Sequence, residues 1–195
     1  MSQRRLFLSA GHSTTAGRDR GATSHDGRHI EGLIVAEFRT LVFDILMSQY
    51  KYRASVDSND SILSQTISLF QKWATPKCVL VDFHLNAASN PKAAGIECFV
   101  PNSPTSFELG LAREIAEAVA SETRFPLRRG RLSQAGVKTE SESARGSLGW
   151  MKVAGENVLV ELFFVTNPEE VAVWNKQKHQ AAKRVADVLW KYINM

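Results

Sequence analysis

The run Val158-Leu159-Val160-Glu161-Leu162-Phe163-Phe164-Val165 passes directly into Thr166-Asn167-Pro168-Glu169-Glu170. Seven of the first eight residues are apolar, the pattern of a strand covered on both faces. Asn167 then supplies an N-cap, Pro168 the first helical position and Glu169 and Glu170 the carboxylates of a first turn, so a helix begins there. Trp174, Ala181, Val185, Val188, Leu189 and Tyr192 carry that helix nearly to Met195. The lone acid in the strand is Glu161. Burying it without a partner costs several kcal/mol, which marks it as a working group rather than a packing one. Alternation predicts that it shares a face with Leu159 and Phe163, where desolvation raises its pKa toward that of a general base.

The same strand-then-helix grammar repeats on the N-terminal side. Leu6-Phe7-Leu8 begins a short buried strand that turns at Ser9-Ala10-Gly11-His12-Ser13, and a polar stretch follows through His29. Ile34, Phe38, Leu41, Val42, Ile45 and Leu46 recur at helical spacing over residues 31–49, and Leu63, Ile67, Phe70, Trp73 and Ala74 mark a second helix. Strands are predicted at residues 50–56, 78–83 and 95–100, and a helix at 105–123. Residues 124–155, rich in Gly, Ser and Arg, read as loop with short elements. The fold class is therefore α/β: a three-layer arrangement with a mostly parallel or mixed twisted sheet of about six strands and helices on both faces.

Composition bounds the rest. With 195 residues, the expectation is a single domain over 1–195, whose folded surface scales to about 9,200 Å². A chain that buries this much needs no metal merely to fold, so any metal serves chemistry. Cys78 and Cys98 lie in separate apolar runs without a CxxC spacing, which leaves no disulfide framework to read. No apolar stretch is long enough to span a bilayer, and Met1-Ser2-Gln3-Arg4-Arg5 leads into no signal-peptide core. The net charge of +4 is modest and its basic residues are scattered, not a stripe with stacking aromatics, so nucleic acid is not an expected partner.

In an open α/β sheet, ligands sit beyond the carboxyl ends of the strands. His12 follows the first strand, His84 terminates the strand beginning at Cys78, and Glu31 opens the helix leaving the His12 loop. Two imidazoles and a carboxylate make a His₂Glu set, which binds zinc with one position left for water, and Glu161 is the base such a site requires. His29, two positions before Glu31, is the rival ligand, while His179 on a lysine-flanked helix reads as solvated. Asp82 shares a strand face with His84 and is placed to accept from its ring. Arg128, Arg129 and Arg131 are candidates for holding carboxylates, and Trp150 for packing or for flanking a sugar.

At these residues the sequence resembles the zinc-dependent N-acetylmuramoyl-L-alanine amidases of the type 3 group, found in bacterial wall remodelling and in phage endolysins. The likeness spans nearly the whole chain and rests on Leu8-Ser9-Ala10-Gly11-His12, Glu31, Val81-Asp82-Phe83-His84-Leu85-Asn86-Ala87, Gly95-Ile96-Glu97 and residues 158–167. It implies that His12, Glu31 and His84 bind zinc and that Glu161 is catalytic. The implied reaction is hydrolysis of the amide between N-acetylmuramic acid and L-alanine in peptidoglycan, Glu161 taking the water's proton and returning it to the alanine nitrogen. The family's threonine–arginine pair after the second strand has no counterpart around Tyr52-Arg53-Ala54.

Two other readings share these residues: a zinc carboxypeptidase acting on the stem peptide, and a noncatalytic wall-binding or tail-structural module of the same fold. The expected protein is a monomer of the phage-lysin type, made in the cytoplasm and delivered by a holin or a virion to the wall or periplasm.

Overall fold

The computed structural model describes residues 3–195. Strands form at β1 (Leu6–Ser9), β2 (Ser55–Val56), β3 (Val79–Asn86), β4 (Glu97–Val100), β5 (Val137–Thr139) and β6 (Glu156–Phe164), and helices at α1 (Glu31–Tyr50), α2 (Leu63–Gln71), α3 (Ser106–Thr123) and α4 (Pro168–Ile193). The helix starts follow the capping signals. Asn167 Oδ1 accepts from the Glu169 and Glu170 amides, and Thr105 and Glu108 bond each other reciprocally at the start of α3.

All six strands join one sheet in the order β2-β1-β3-β6-β4-β5. The pairs β1/β2, β1/β3, β3/β6 and β4/β5 are parallel, and β4 runs antiparallel to β6, so the sheet is mixed. One face carries Leu6, Leu8, Val79, Val81, Phe83, Val158 and Val160 against the apolar sides of α1, α3 and α4. The other carries Phe7, Leu80, Phe99 and Leu159 beneath Phe70 of α2 and Trp150 of a 3-10 turn at Gly149–Lys152. Trp150 is fully buried there, so it packs and does not flank a ligand. The accessible surface, 9261 Å², is that of a chain this length folded around one sheet.

Three local differences from the sequence reading have physical causes. The strand expected over 50–56 shrinks to two residues because α1 continues through Tyr50 and Lys51 turns left-handed at φ 56. The Tyr52 hydroxyl then accepts from the Leu6 amide, substituting for a ladder bond at that edge. The loop region 124–155 contains β5, whose three residues include one buried side chain, Val137, too short a signal for periodicity. Finally, His84 pairs with Glu161 but Asn86 pairs with Phe164, so β6 bulges. Leu162 and Phe163 consequently both enter the helix-side core, and Glu161 shares its face with Leu159 but not with Phe163. Glu170 satisfies the backbone at this break, accepting from the Phe164 amide at 2.8 Å and the Gly95 amide at 2.7 Å.

Trp174 on α4 fills the core between Phe38 of α1 and Phe163 of the bulge, with ring centroids 4.9 and 5.0 Å away. Trp174→Ala is expected to cost about 3–5 kcal/mol, read as a lowered urea midpoint with an unchanged slope.

Candidate metal centre and catalytic cavity

The parallel strands β1, β3 and β6 end side by side, and their carboxyl ends hold the candidate residues. β1 leads through Gly11 to His12; His84 lies within β3, which runs to Asn86, past the 78–83 expected from the sequence; Glu161 lies opposite it in β6. Glu31 is the first residue of α1 and returns to the same point from the helix side of the β1 connection.

Glu31 is the centre of the cluster. Its Oε1 lies 3.3 Å from His12 Nε2 and 3.2 Å from His84 Nδ1. The same oxygen accepts from the Leu85 amide at 2.9 Å, and Oε2 accepts from the Ala22 amide at 2.7 Å. Two glycines make room. Gly11 has φ +59 and a Cβ there would collide with the His84 ring; Gly21 has φ +71 and a Cβ there would strike Glu31 Oε2 and His12. The turn bearing His12 is fixed from below by Asp57, which accepts from Ser9 Oγ at 3.1 Å and the Ala10 amide at 3.2 Å and is ion-paired with buried Arg39.

Among the described residues, His12, Glu31 and His84 form the group whose ligand atoms can converge on a metal ion, all within 4.8 Å of one another. The separations of 3.2 and 3.3 Å match the edge of a tetrahedron with donors about 2.1 Å from zinc, which is about 3.4 Å. The donor set, two imidazoles and one carboxylate, fits a catalytic zinc. Asp82 Oδ2 lies 2.9 Å from His84 Nε2, the ring nitrogen facing away from Glu31, and so fixes the tautomer that leaves Nδ1 toward the metal position. His29 and His25 stand elsewhere, lining a separate groove with α4, so the rival ligand is not in the cluster. His179 is exposed on α4.

Electrostatics separates the two glutamates. Burial pushes the Glu31 carboxyl up, but hydrogen bonds with His12 and His84 outweigh it and hold the group well below the usual carboxylate range. Burial opposes the charge on His84, yet Asp82 and Glu31 carry its pKa well above the ordinary value. Glu161 has no comparable support. Its Oε2 is buried with no hydrogen-bond partner among the described residues, and burial, with Glu31, Glu97 and Asp82 nearby, pushes its pKa up to about 8 against the opposing pull of His84. These groups line a cavity of ≈ 400 Å³ together with Asp19, Leu63, Asn86, Arg145 and Leu159.

The structure also supplies residues that the sequence reading passed over. Glu97 pairs with Glu161 across β4 and β6, and accepts from Asn86 Nδ2, Arg128 Nε and Lys138 Nζ at 2.9, 2.8 and 2.5 Å. Arg128 is thereby occupied, with its guanidinium also stacked 4.9 Å over Phe164, and is not free to hold a ligand carboxylate. Arg39, Asp57 and Glu97 carry no motif spacing of their own; only the fold brings them to the site.

Two expectations follow. Asp82→Ala removes the acceptor that orients His84 and is expected to weaken zinc binding about 10- to 100-fold, measured by competition with a chromophoric chelator. The native pKa of Glu161, about 8, lies above its ordinary value of 4.5, so the folded state binds this proton more tightly than the unfolded state. That stabilisation is complete below pH 4.5 and is lost as the pH rises through 8. In metal-free protein, Glu161→Gln is expected to melt close to wild type at acid pH and to become progressively the more stable of the two toward pH 9, in thermal scans with chelator present.

No curated protein matches the sequence closely enough to count as a relative. Among solved structures, a Neisseria meningitidis protein assigned as an N-acetylmuramoyl-L-alanine amidase is 25% identical, with a TM-score of 0.78 over 98% of this chain and 96% of that one. The catalytic domain of CwlV, an N-acetylmuramoyl-L-alanine amidase from Bacillus (Paenibacillus) polymyxa var. colistinus, superposes at 0.77 with 18% identity and 98% coverage of both chains. The catalytic domain of CD27L, an endolysin targeting Clostridia difficile, has the same fold at 0.68, with 18% identity and coverage of 97% of this chain and 98% of that one. The sequence model for Amidase_3, N-acetylmuramoyl-L-alanine amidase, matches residues 6–191, and the chain belongs to that family.

Proposed function

We propose that this chain is a zinc-dependent N-acetylmuramoyl-L-alanine amidase, a single catalytic domain over residues 1–195 that hydrolyses the amide joining the lactyl group of N-acetylmuramic acid to L-alanine in peptidoglycan. The observation that carries the reading is the convergence of His12 Nε2, His84 Nδ1 and Glu31 Oε1 beside the unpartnered carboxylate of Glu161, in a chain of this family. His12, Glu31 and His84 would hold the metal. Bound zinc supplies a Lewis acid that polarises the scissile carbonyl and makes the attacking water more acidic.

The chain's own residues do the rest. Asp82 and the Leu85 and Ala22 amides keep His84 and Glu31 from rotating away from the cluster. Glu161, which has a buried oxygen without a partner and no cation paired to its other one, takes the proton from water and returns it to the alanine nitrogen as the amide breaks. Its carboxylate is costly to ionise in its buried place beside Glu31, Asp82 and Glu97, with His84 opposing them, and a cation held by His12, Glu31 and His84 would favour its basic form at neutral pH. The place of action is the cell wall or periplasm, and a phage lysin delivered by a holin or virion is the form we favour, working as a monomer. Among the described residues no helix is long and apolar enough to cross a membrane.

Glu161→Gln is expected to bind zinc as wild type does while wall hydrolysis falls by two or more orders of magnitude, followed by metal analysis and turbidity clearance. Mass spectrometry of wild-type digests should show new L-alanine amino termini; loss of a terminal stem residue instead would make the chain a carboxypeptidase, and metal binding without clearance a wall-binding module.

A further inference from the structure

Arg145 is the sole lysine or arginine in the wall of the cavity that holds His12, Glu31, His84 and Glu161. Its guanidinium is exposed and makes no hydrogen bond or ion pair with any described residue. Of the other cations near this end of the sheet, Arg128 and Lys138 are engaged on Glu97 and Arg39 on Asp57, while Arg20 keeps a buried Nε without a partner but does not line the cavity.

The turn that presents Arg145 has fixed feet. The Gly146 amide donates to the Ser143 carbonyl at 3.0 Å, placing Arg145 at the third position of a four-residue turn, with Gly146 at φ +66. Ser143 is bonded to the Glu140 carbonyl through both its amide and its hydroxyl, and the Leu148 amide donates to Glu140 Oε2 at 2.9 Å. Leu148 packs onto the core under α2. Glu142 ties the same region together, accepting from the Arg131 and Thr139 amides. Glu140 and Glu142 thus organise this wall.

The wall also carries the carboxyls of Asp19, Glu31 and Glu161 beside the imidazoles of His12 and His84, and those imidazoles are already turned toward Glu31 and Asp82, so a substrate carboxylate seated outside the cluster needs a counter-charge of its own. A guanidinium offers it in bidentate form. We propose that Arg145 is a specificity residue that binds the free carboxylate of the stem-peptide residue following L-alanine, so that the enzyme prefers D-isoglutamate to its amide, D-isoglutamine, at that position. The inference rests on the amidase reading above. That carboxylate lies within about two residues, or about 7 Å, of the scissile bond, a span that keeps it inside the same cavity.

The test uses zinc-loaded Glu161→Gln protein, which should bind substrate without consuming it, and two ligands that differ only at that group: N-acetylmuramoyl-L-alanyl-D-isoglutamate and the corresponding D-isoglutamine compound. Calorimetry is expected to show about tenfold tighter binding of the carboxylate form at low salt, shrinking as ionic strength rises. Adding Arg145→Gln should bring the two affinities together, and Arg145→Lys should keep part of the difference. An equal loss for both ligands, or a preference that survives Arg145→Gln, overturns the assignment. Turnover of the same pair by zinc-loaded wild type separates the two claims: cleavage without a carboxylate preference sinks the role of Arg145, whereas an Arg145-dependent binding preference without cleavage leaves that role standing and sinks the amidase reading.

Discussion

The carboxylate of Glu31 meets two imidazoles and two backbone amides, and these partners come from two separate parts of the chain. His12 and Ala22 belong to the β1–α1 connection, while His84 and Leu85 belong to β3. A buried acid held so firmly in its charged form ties the start of α1 to the end of two neighbouring strands. The polar loop between His12 and Glu31 has little apolar surface with which to hold itself in place; these contacts supply the order that packing does not. The left-handed glycines at 11 and 21 belong to the same constraint, since side chains there would occupy the space of the imidazole and the carboxylate.

The layers of the fold explain why the centre sits where it does. α1, α3 and α4 cover one face of the sheet with a continuous apolar core, whereas α2 and the 3-10 turn at Gly149–Lys152 cover only part of the other. The partly covered face leaves Asp82, His84 and Glu161 at the strand ends without an apolar lid. The β6 bulge sharpens the division. By sending Leu162 and Phe163 together into the helix-side core, it lets the strand leave the sheet immediately after Glu161, and Glu170 from the first turn of α4 absorbs the amides that the break exposes.

Much of this was legible in the sequence because the signals were local or strongly periodic. The apolar run around Glu161, the Asn-Pro cap of α4 and the helical stripe of α1 each depend on a few consecutive turns of chain, and each formed where it was expected. His12, Glu31 and His84 were placed together by the rule that strand ends converge, and the structure brings them together. What was missed depends on tertiary pairing. β5 is three residues long, and the β6 bulge is a property of its register with β3. Arg39 and Asp57 lie on different elements and meet only after β2 docks beside β1, occupying the region where the family's threonine–arginine pair was sought. Arg128, read as a ligand-facing cation, is captured by Glu97 from a strand whose antiparallel direction the sequence did not disclose.

The pattern of satisfied and unsatisfied charge gives the site its logic. The carboxyl edge of the sheet gathers five buried or partly buried acids: Glu31, Asp57, Asp82, Glu97 and Glu161. Glu31 has its two histidines, Asp57 has Arg39, Asp82 has His84, and Glu97 has Lys138 and Arg128. Asp82 has one buried oxygen without a partner, but its other oxygen holds His84, and Glu170 beside the end of β6 holds two amides. Glu161 keeps a buried oxygen without a donor, at a position where ionisation is opposed by three neighbouring acids. Such a group gains little from the protein alone and a great deal from a cation held by the histidines beside it. The stability forgone at Glu161 sets it apart from the paired acids around it, and a perturbed carboxyl facing a cavity is what marks a candidate functional group.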